Sequence, residues 1–101
     1  MINYSVTISL DKGIEEEWLT WMKEIHIPEV METGYFLRFQ IQQLLDPIVD
    51  PAMATYNVQY LCESMEKYQK YENEEAPILR KSHQERYGNR FVSFRTLLKI
   101  V

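Results

Sequence analysis

The N-terminal segment alternates strictly between apolar and small polar residues, and this pattern constrains the fold more than any other in the chain. Every even position from residue 2 to residue 10 is apolar: Ile2, Tyr4, Val6, Ile8 and Leu10. Every odd position between them is Asn, Ser or Thr. Because successive side chains of a strand point to opposite faces, the segment predicts a strand with one buried face.

A helical pattern follows over residues 14–33, and Gly34 is expected to end that helix. Pro28 lacks a backbone donor, so the helix should kink or restart near Ile27. The predicted core-facing stripe is Ile14, Trp18, Trp21, Met22 and Ile25. A second helix is predicted after Ser64, interrupted by Pro77 and ended by Gly88. Its predicted inner side carries Met65, Tyr68, Glu72, Ala76, Leu79, His83 and Tyr87.

Residues 35–45, 53–62 and 91–101 alternate again and predict three further strands. In the last of these we assign the row from Val92 through Phe94 to Ile100 to the helix-covered face. The order βαββαβ predicts an α+β, ferredoxin-like domain over residues 1–101, with a four-stranded antiparallel sheet and two helices on one face.

The composition excludes several classes of protein. The chain has 101 residues, enough for one domain, and no apolar run that suggests a membrane span or signal peptide. A formal charge of −4 argues against general binding to nucleic acid or a membrane surface. The only cysteine, Cys62, excludes an internal disulfide and multi-cysteine metal sites. We therefore expect a cytoplasmic protein with neither a metal nor a cofactor.

The basic residues are unevenly placed. Six of the eleven fall in the last twenty-two positions: Arg80, Lys81, Arg86, Arg90, Arg95 and Lys99. A solvated helix face together with strand ends is the preferred interpretation, and a local anion site is the alternative.

The sheet face that the helices leave open predicts a homodimer. Its predicted residues are mostly short and neutral, and the central ones are Gln40, Asn57, Gln59 and Arg95. Such groups can pair with a second copy at little desolvation cost when their hydrogen bonds are satisfied. RNA-recognition motifs share this topology, but they stack bases on aromatic residues of the open face, where we predict none.

Three segments carry a resemblance to a known family: EEEWLTWMKEIHIPEVMETGYF, YNVQYLCESMEKYQKY and APILRKSHQERYGNRFVSFRTLL. They include the tryptophan pair, His26-x-Pro28 and His83-x-x-Arg86-x-Gly88. Together they resemble a small bacterial family classed only as a domain of unknown function. That family is similar in topology to the dimeric α/β-barrel superfamily, in which two ferredoxin-like subunits pack their sheets together. The resemblance implies a dimer and leaves the activity open.

His83 is the first candidate for acid–base work, because histidine titrates near neutrality. We predict it on the sheet-facing stripe beside Trp18 and Tyr87, with Glu72 on the same stripe; a hydrogen-bonded core histidine is the preferred interpretation, and contact with a ligand is the alternative. The two helices of a ferredoxin-like unit run antiparallel, so the start of the first lies beside the end of the second. At about 1.5 Å per residue, His26 lies about 18 Å from Ile14 at the start of the first helix, whereas His83 lies about 6 Å from the end of the second. We therefore predict that the two histidines do not share a site.

His26 remains a candidate ligand contact, although a structural role beside Pro28 is preferred. A metal site of His26, Glu29 and Glu32 would need helical spacing that Pro28 disturbs. Within the superfamily, His83 lies where haem-degrading members carry a helix histidine. Their strand asparagine falls near Val6 and their helix tryptophan near Tyr71, so the resemblance implies an aromatic-lined cleft without the haem-degrading site.

Three functions are consistent with these observations. The first is a homodimeric binding or interaction module with a modest cleft between helices and sheet. The second is a cofactor-free enzyme, monooxygenase-like or isomerase-like, that uses His83 on a small molecule. The third is a regulatory domain that binds a small ligand.

Overall fold

The computed structural model describes all 101 residues and has the predicted element order. The strands are β1 (Ile2–Asp11), β2 (Arg38–Gln43), β3 (Met53–Cys62) and β4 (Phe91–Lys99). The first helical segment comprises a 3₁₀ turn (Lys12–Ile14), α1 (Glu15–Trp21), a π-helical turn (Met22–His26) and α2 (Ile27–Glu32). The second comprises α3 (Met65–Glu74) and α4 (Ala76–Tyr87).

The four strands form one antiparallel sheet in the order β2-β3-β1-β4. The alternating segment β1 lies in the middle and pairs along its length with both β3 and β4. Val6 faces Val58 on one side and Arg95 on the other, and this register fixes which residues share a face. The fold is ferredoxin-like, as predicted.

Both helical segments are irregular near their prolines. Pro77 lies in the first turn of α4, where the missing N–H has no helical acceptor to lose. Pro28 lies in the first turn of α2, which continues from the π-helical turn with helical backbone angles. Ser64 caps α3, because its Oγ accepts a hydrogen bond from the Lys67 N–H at 3.2 Å. Gly34 and Gly88, with φ of 82° and 58°, follow the helix ends in a conformation that glycine adopts without strain.

One hydrophobic cluster of twenty buried residues fills the space between sheet and helices. Leu10, Trp18 and Ile27 are completely buried within it. The predicted stripe is correct as far as Met22 but wrong at Ile25, which is 45% exposed. The π-helical turn inserts extra backbone after Trp21, so Ile27 takes the inward position that a regular helix would give to Ile25.

The face assignment in β4 is wrong. Ser93 lies opposite Ile8 and Arg95 opposite Val6, so both are on the helix-covered face. The apolar row that we placed inside is on the open face, where Val92 is 66% exposed and Phe94 is 62% exposed. Sequence reasoning gave the more apolar row to the core, but the helix-covered face holds a cavity at this edge. The open face therefore carries an aromatic ring that the sequence analysis did not place there.

None of the helices has both the length and the apolar character that a bilayer crossing requires.

Alanine substitution of two neighbouring isoleucines tests the effect of the π-helical turn. Ile27 is completely buried, so Ile27→Ala should lower the free energy of unfolding by about 2–5 kcal/mol. Ile25 is 45% exposed, so Ile25→Ala should change it by about 0.5 kcal/mol or less. Urea unfolding of the two variants measures both values. A larger loss for Ile25→Ala than for Ile27→Ala would show that the helix is regular and that Ile25 faces the core.

Candidate functional site

A cavity of about 380 Å³ lies between the helix layer and the sheet. Its floor is formed by Val6 and Ile8 from β1 and by Val58 and Tyr60 from β3, while Met22 faces it from the helix layer. Cavities of roughly 300–1,000 Å³ with apolar walls and a few polar groups are typical of small-molecule sites. Its position and composition make it the candidate functional site.

The cavity opens at one edge of the sheet. Four of its lining residues are exposed: Lys81 and Gln84 from α4, and Ser93 and Arg95 from β4. Because β4 is an edge strand, no further strand closes this side. The mouth therefore lies between α4 and β4.

The register of β1 with β4 orders the cavity from one end to the other. Phe91 lies opposite Leu10, and Arg95 lies opposite Val6. At about 3.3 Å per residue, the four steps from Phe91 to Arg95 span about 13 Å. The His83 ring packs edge-on against Phe91 at 4.2 Å between ring centres. One end of the cavity is therefore marked by His83 and the other by Arg95.

The histidine end contains both histidines of the chain. The ring centres of His26 and His83 are 5.9 Å apart, and both residues line the cavity. The prediction that they do not share a site is wrong, because it treated the first helix as a straight rod. In the π-helical turn residues five apart come into register, so His26 stacks on Trp21 at 5.0 Å. Trp21 in turn contacts His83 at 5.8 Å.

A buried hydrogen bond fixes the tautomer of His83. The Trp18 Nε1–H donates to His83 Nε2 at 2.9 Å. An indole nitrogen is only a donor, so Nε2 must carry the lone pair and the proton must lie on Nδ1. Nδ1 has no partner within the chain and is not among the buried unpaired atoms, so it is accessible from the cavity. His83 thus presents an N–H donor to the cavity.

Both histidines are neutral near pH 7. Burial, and to a smaller extent the neighbouring His26, lowers the pKa of His83 to about 4. Burial alone lowers the pKa of His26 to about 4. The His26 Nδ1 is buried without a hydrogen-bond partner, and a buried lone pair is tolerated better than a buried N–H. His26 therefore places its own N–H on Nε2.

At the other end a partly buried ion pair neutralises one of the arginines. Arg80 donates through both terminal nitrogens to the two carboxylate oxygens of Glu72, and it also reaches the Tyr4 hydroxyl at 3.2 Å. The Tyr68 hydroxyl donates to Glu72 at 3.0 Å. Hydrogen bonding by Arg80 is the main reason that the pKa of Glu72 is lowered. Burial raises the pKa of Tyr4 although Arg80 opposes this, so Tyr4 stays a neutral phenol.

Arg95 has no such partner. Its side chain takes part in none of the six ion pairs and in no hydrogen bond, although Arg95 lines the cavity. Lys81 at the mouth lies 3.7 Å from Glu85, an exposed pair with little net attraction. The cavity therefore carries an excess of positive charge at the Arg95 end, in a chain whose net charge is −4.

The predicted ligand contacts differ from the residues that line the cavity. His83 and His26 line it, whereas Trp18, Tyr87 and Glu72 do not. Each of these three contacts a lining residue instead: Trp18 and Tyr87 contact His83, and Glu72 contacts Arg80. The predicted interface residues Gln40, Asn57 and Gln59 share the open face of the sheet, and Arg95 does not.

Sequence reasoning missed Arg80 and Arg95 as residues of the cavity. The signal was the basic cluster near the C-terminus, three of whose members, Arg80, Lys81 and Arg95, line the cavity. No group of three His, Cys, Asp or Glu side chains is close enough to hold a metal ion.

Comparison with protein-family models gives one match over residues 1–101, to the family described as Domain of unknown function (DUF4286). The chain belongs to this family. Comparison of the DUF4286 chain with curated protein sequences gives no match.

Solved structures similar to this DUF4286 protein share its fold over the whole chain. An ethyl tert-butyl ether d (EthD) family protein from Bacillus halodurans matches with a TM-score of 0.71 and 9% identity, covering 100% of both chains. The heme-degrader MhuD from Mycobacterium tuberculosis, with two hemes bound in its active site, matches at 0.67 and 20% identity, covering 100% of this chain and 96% of its own. A dimeric ferredoxin-like protein from an uncultured marine organism matches at 0.69 and 14% identity, covering 100% and 95%.

These identities establish the fold and leave the activity open. Val6 and Tyr71, which the superfamily resemblance aligns with a strand asparagine and a helix tryptophan, both line the cavity. At these two positions the cavity therefore has an isopropyl group and a phenol in place of an amide and an indole.

The neutral histidines predict an acid-sensitive stability. With a folded-state pKa of about 4 and an ordinary value of 6.5, the unfolded chain binds more protons than the folded chain between those two pH values. Stability therefore falls as the pH falls through that window, by at most about 1.4 kcal/mol per pH unit for each histidine. Carboxylates with a lowered pKa, such as Glu72, add to this loss of stability mainly below about pH 4.5.

Urea unfolding at about pH 7.5 and about pH 5, at one protein concentration, measures this loss. His83→Gln and His26→Gln should each show a smaller loss between the two pH values than the parent chain. An unchanged loss in both variants would contradict the assignment of the effect to the histidines.

Proposed function

We propose that this DUF4286 protein is a homodimeric small-molecule-binding protein whose ligand occupies the cavity between the helices and the sheet. The observation that carries the proposal is a cavity of about 380 Å³ that opens at the β4 edge and holds unpaired polar groups at both ends. Arg95 is unpaired at one end, and the His83 Nδ1–H is unpaired at the other.

The unpaired groups distinguish this cavity from a packing defect. Empty cavities in folded proteins are apolar, whereas buried polar groups almost always find a partner. Here two arginines and two imidazoles line the same space, and two of their atoms, Arg80 Nε and His26 Nδ1, are buried without a hydrogen-bond partner. A polar space of this kind suits a ligand that bonds to these side chains.

The open face of the sheet supports the homodimer. Its apolar row on β4 includes Phe94, 62% exposed, and Leu98, 48% exposed. Next to this row the polar residues bond to one another: Asn57 donates to Ser5 at 2.7 Å and to Thr7 at 3.1 Å. A second copy that covered this face would bury the apolar row beside an Asn57 amide nitrogen that already has two partners. A structural relative from an uncultured marine organism is itself described as dimeric.

An enzyme acting on a small molecule is the second candidate, and the paired histidines favour a particular kind. Neutral imidazoles that present N–H groups are poor bases, but they can stabilise negative charge on a carbonyl oxygen. The proposed enzyme would therefore polarise a carbonyl group rather than remove a proton through His83. A regulatory role would use the same binding without turnover.

We also propose a cytoplasmic location. Cys62 is buried and unpaired, which is consistent with a reducing compartment.

Filling the cavity tests the binding proposal. Ser93 lies at the mouth opposite Ile8, so Ser93→Trp should occupy the cavity, whereas Gln69→Trp on the exposed side of α3 should not. Native mass spectrometry of protein purified gently from its native cells should show a bound mass on the parent chain and on the Gln69 variant only. An adduct that persists in Ser93→Trp would place the ligand elsewhere, and no adduct on any of the three would count against a retained ligand.

Charge on the open face tests the dimer. Phe94→Glu should place two carboxylates in the two-fold interface and shift the mass in solution from about twice 12.2 kDa toward the monomer. Ile78→Glu is the matched control, because Ile78 is 73% exposed on the outer side of α4. Sedimentation equilibrium gives both masses. A parent chain that is monomeric, or a Phe94 variant that stays dimeric, would contradict the proposed interface.

A further inference from the structure

We infer that the ligand is an organic acid with an apolar body, whose carboxylate binds Arg95 and whose far end presents a hydrogen-bond acceptor to His83 Nδ1–H. The inference rests on the proposed binding function and names the chemical class that the cavity selects. Three observations carry it: the charge at one end, the donor at the other, and the apolar walls between them.

The charge at the β4 end selects an anion. Arg80 already binds both carboxylate oxygens of Glu72, so its guanidinium is neutralised. Arg95 lines the same space, with no ion pair and no hydrogen bond within the chain. A guanidinium fork matches the two oxygens of a carboxylate, so the Arg95 end suits a ligand with a carboxylate.

The donor at the histidine end selects an acceptor and rejects a cation. Trp18 donates to His83 Nε2, so only the Nδ1–H of this ring is available to a ligand. An ammonium or amide N–H placed there would meet another N–H and would lose its own hydration without gaining a partner. A carbonyl oxygen, in contrast, would accept directly. Amino compounds should therefore bind less well than keto compounds of the same shape.

The walls between the two ends select an apolar body. Val6 and Ile8 form the floor, and Met22 and Leu79 face them from the helices. The strand register separates the two ends by about 13 Å, which allows room for the carboxylate, the acceptor and one or two rings between them. Trp18 takes no part in this contact and acts as a positioning residue, because it sets the tautomer of His83 without lining the cavity.

Three naphthalene probes separate the two polar contacts. They are 6-acetyl-2-naphthoate, which has both groups, 6-acetyl-2-naphthamide, which lacks the negative charge, and 6-ethyl-2-naphthoate, which lacks the acceptor. Isothermal titration calorimetry on the parent chain should show the acetyl acid binding about tenfold or more tightly than the amide. It should also bind about fivefold more tightly than the ethyl acid.

Substitutions assign each preference to its residue. Arg95→Gln should remove the preference for acid over amide while keeping the preference for acetyl over ethyl. His83→Phe should do the reverse. Trp18→Phe keeps the imidazole but frees its tautomer, so it should reduce the acetyl preference and leave the acid preference unchanged. Lys70→Gln removes a positive charge from the exposed side of α3 and should change neither.

The outcomes separate this inference from the function on which it rests. If the amide binds the parent chain as tightly as the acid, and Ser93→Trp abolishes both, the cavity binds ligands but does not select acids. If the acid preference survives Arg95→Gln, the anion is bound elsewhere and the assignment is overturned. If none of the probes binds the parent chain, the proposed ligand class is wrong, and a cell-derived adduct sensitive to Ser93→Trp would still support the cavity as a binding site.

Discussion

The hydrogen bond from Trp18 to His83 connects the parts of the molecule on which the site depends. Trp18 is completely buried, packs on Tyr56 of β3 at 5.2 Å between ring centres, and donates to an imidazole on α4. One indole therefore holds the first helical segment, the second helical segment and the sheet in a fixed relation. Because the donor has no lone pair to offer, the same contact decides which face of His83 is left for a ligand.

Two local irregularities make room for that ligand. The π-helical turn between α1 and α2 turns His26 toward His83 and moves Ile25 out to the surface. At the sheet edge, β4 points Ser93 and Arg95 toward the helices and its apolar row away from them. Together they produce a cavity with a neutral donor at one end and an unpaired cation at the other.

The fold could be predicted from the sequence because its signals are local. Strict alternation from Ile2, the Ser64 cap and the two proline breaks each act within a few residues, and all agree with one topology. The limits of β3 were predicted to the residue. The strand β2 is shorter than its alternating pattern, because only Arg38–Gln43 pairs with β3.

The site was less predictable because it depends on placement across the sequence. The faces of β4 follow from its register with β1, and hydrophobicity alone assigned Arg95 to the wrong side. The meeting of His26 with His83 depends on the π-helical turn just before Pro28; the proline predicts an irregularity there, but not which side chains it turns inward. His83 itself was found because it lies on an apolar stripe, and its partner Trp18 was expected at the same level.

The most direct test of this account is the tautomer of His83, measured by ¹⁵N-resolved NMR of the imidazole rings at neutral pH. The account predicts a neutral ring with its proton on Nδ1 and an unprotonated Nε2 that accepts from the Trp18 indole. This pattern should persist on acidification until the pH approaches the lowered pKa of about 4. A charged imidazolium near pH 7, or a proton on Nε2, would contradict it. In that case the cavity would not present the donor on which the proposed recognition depends.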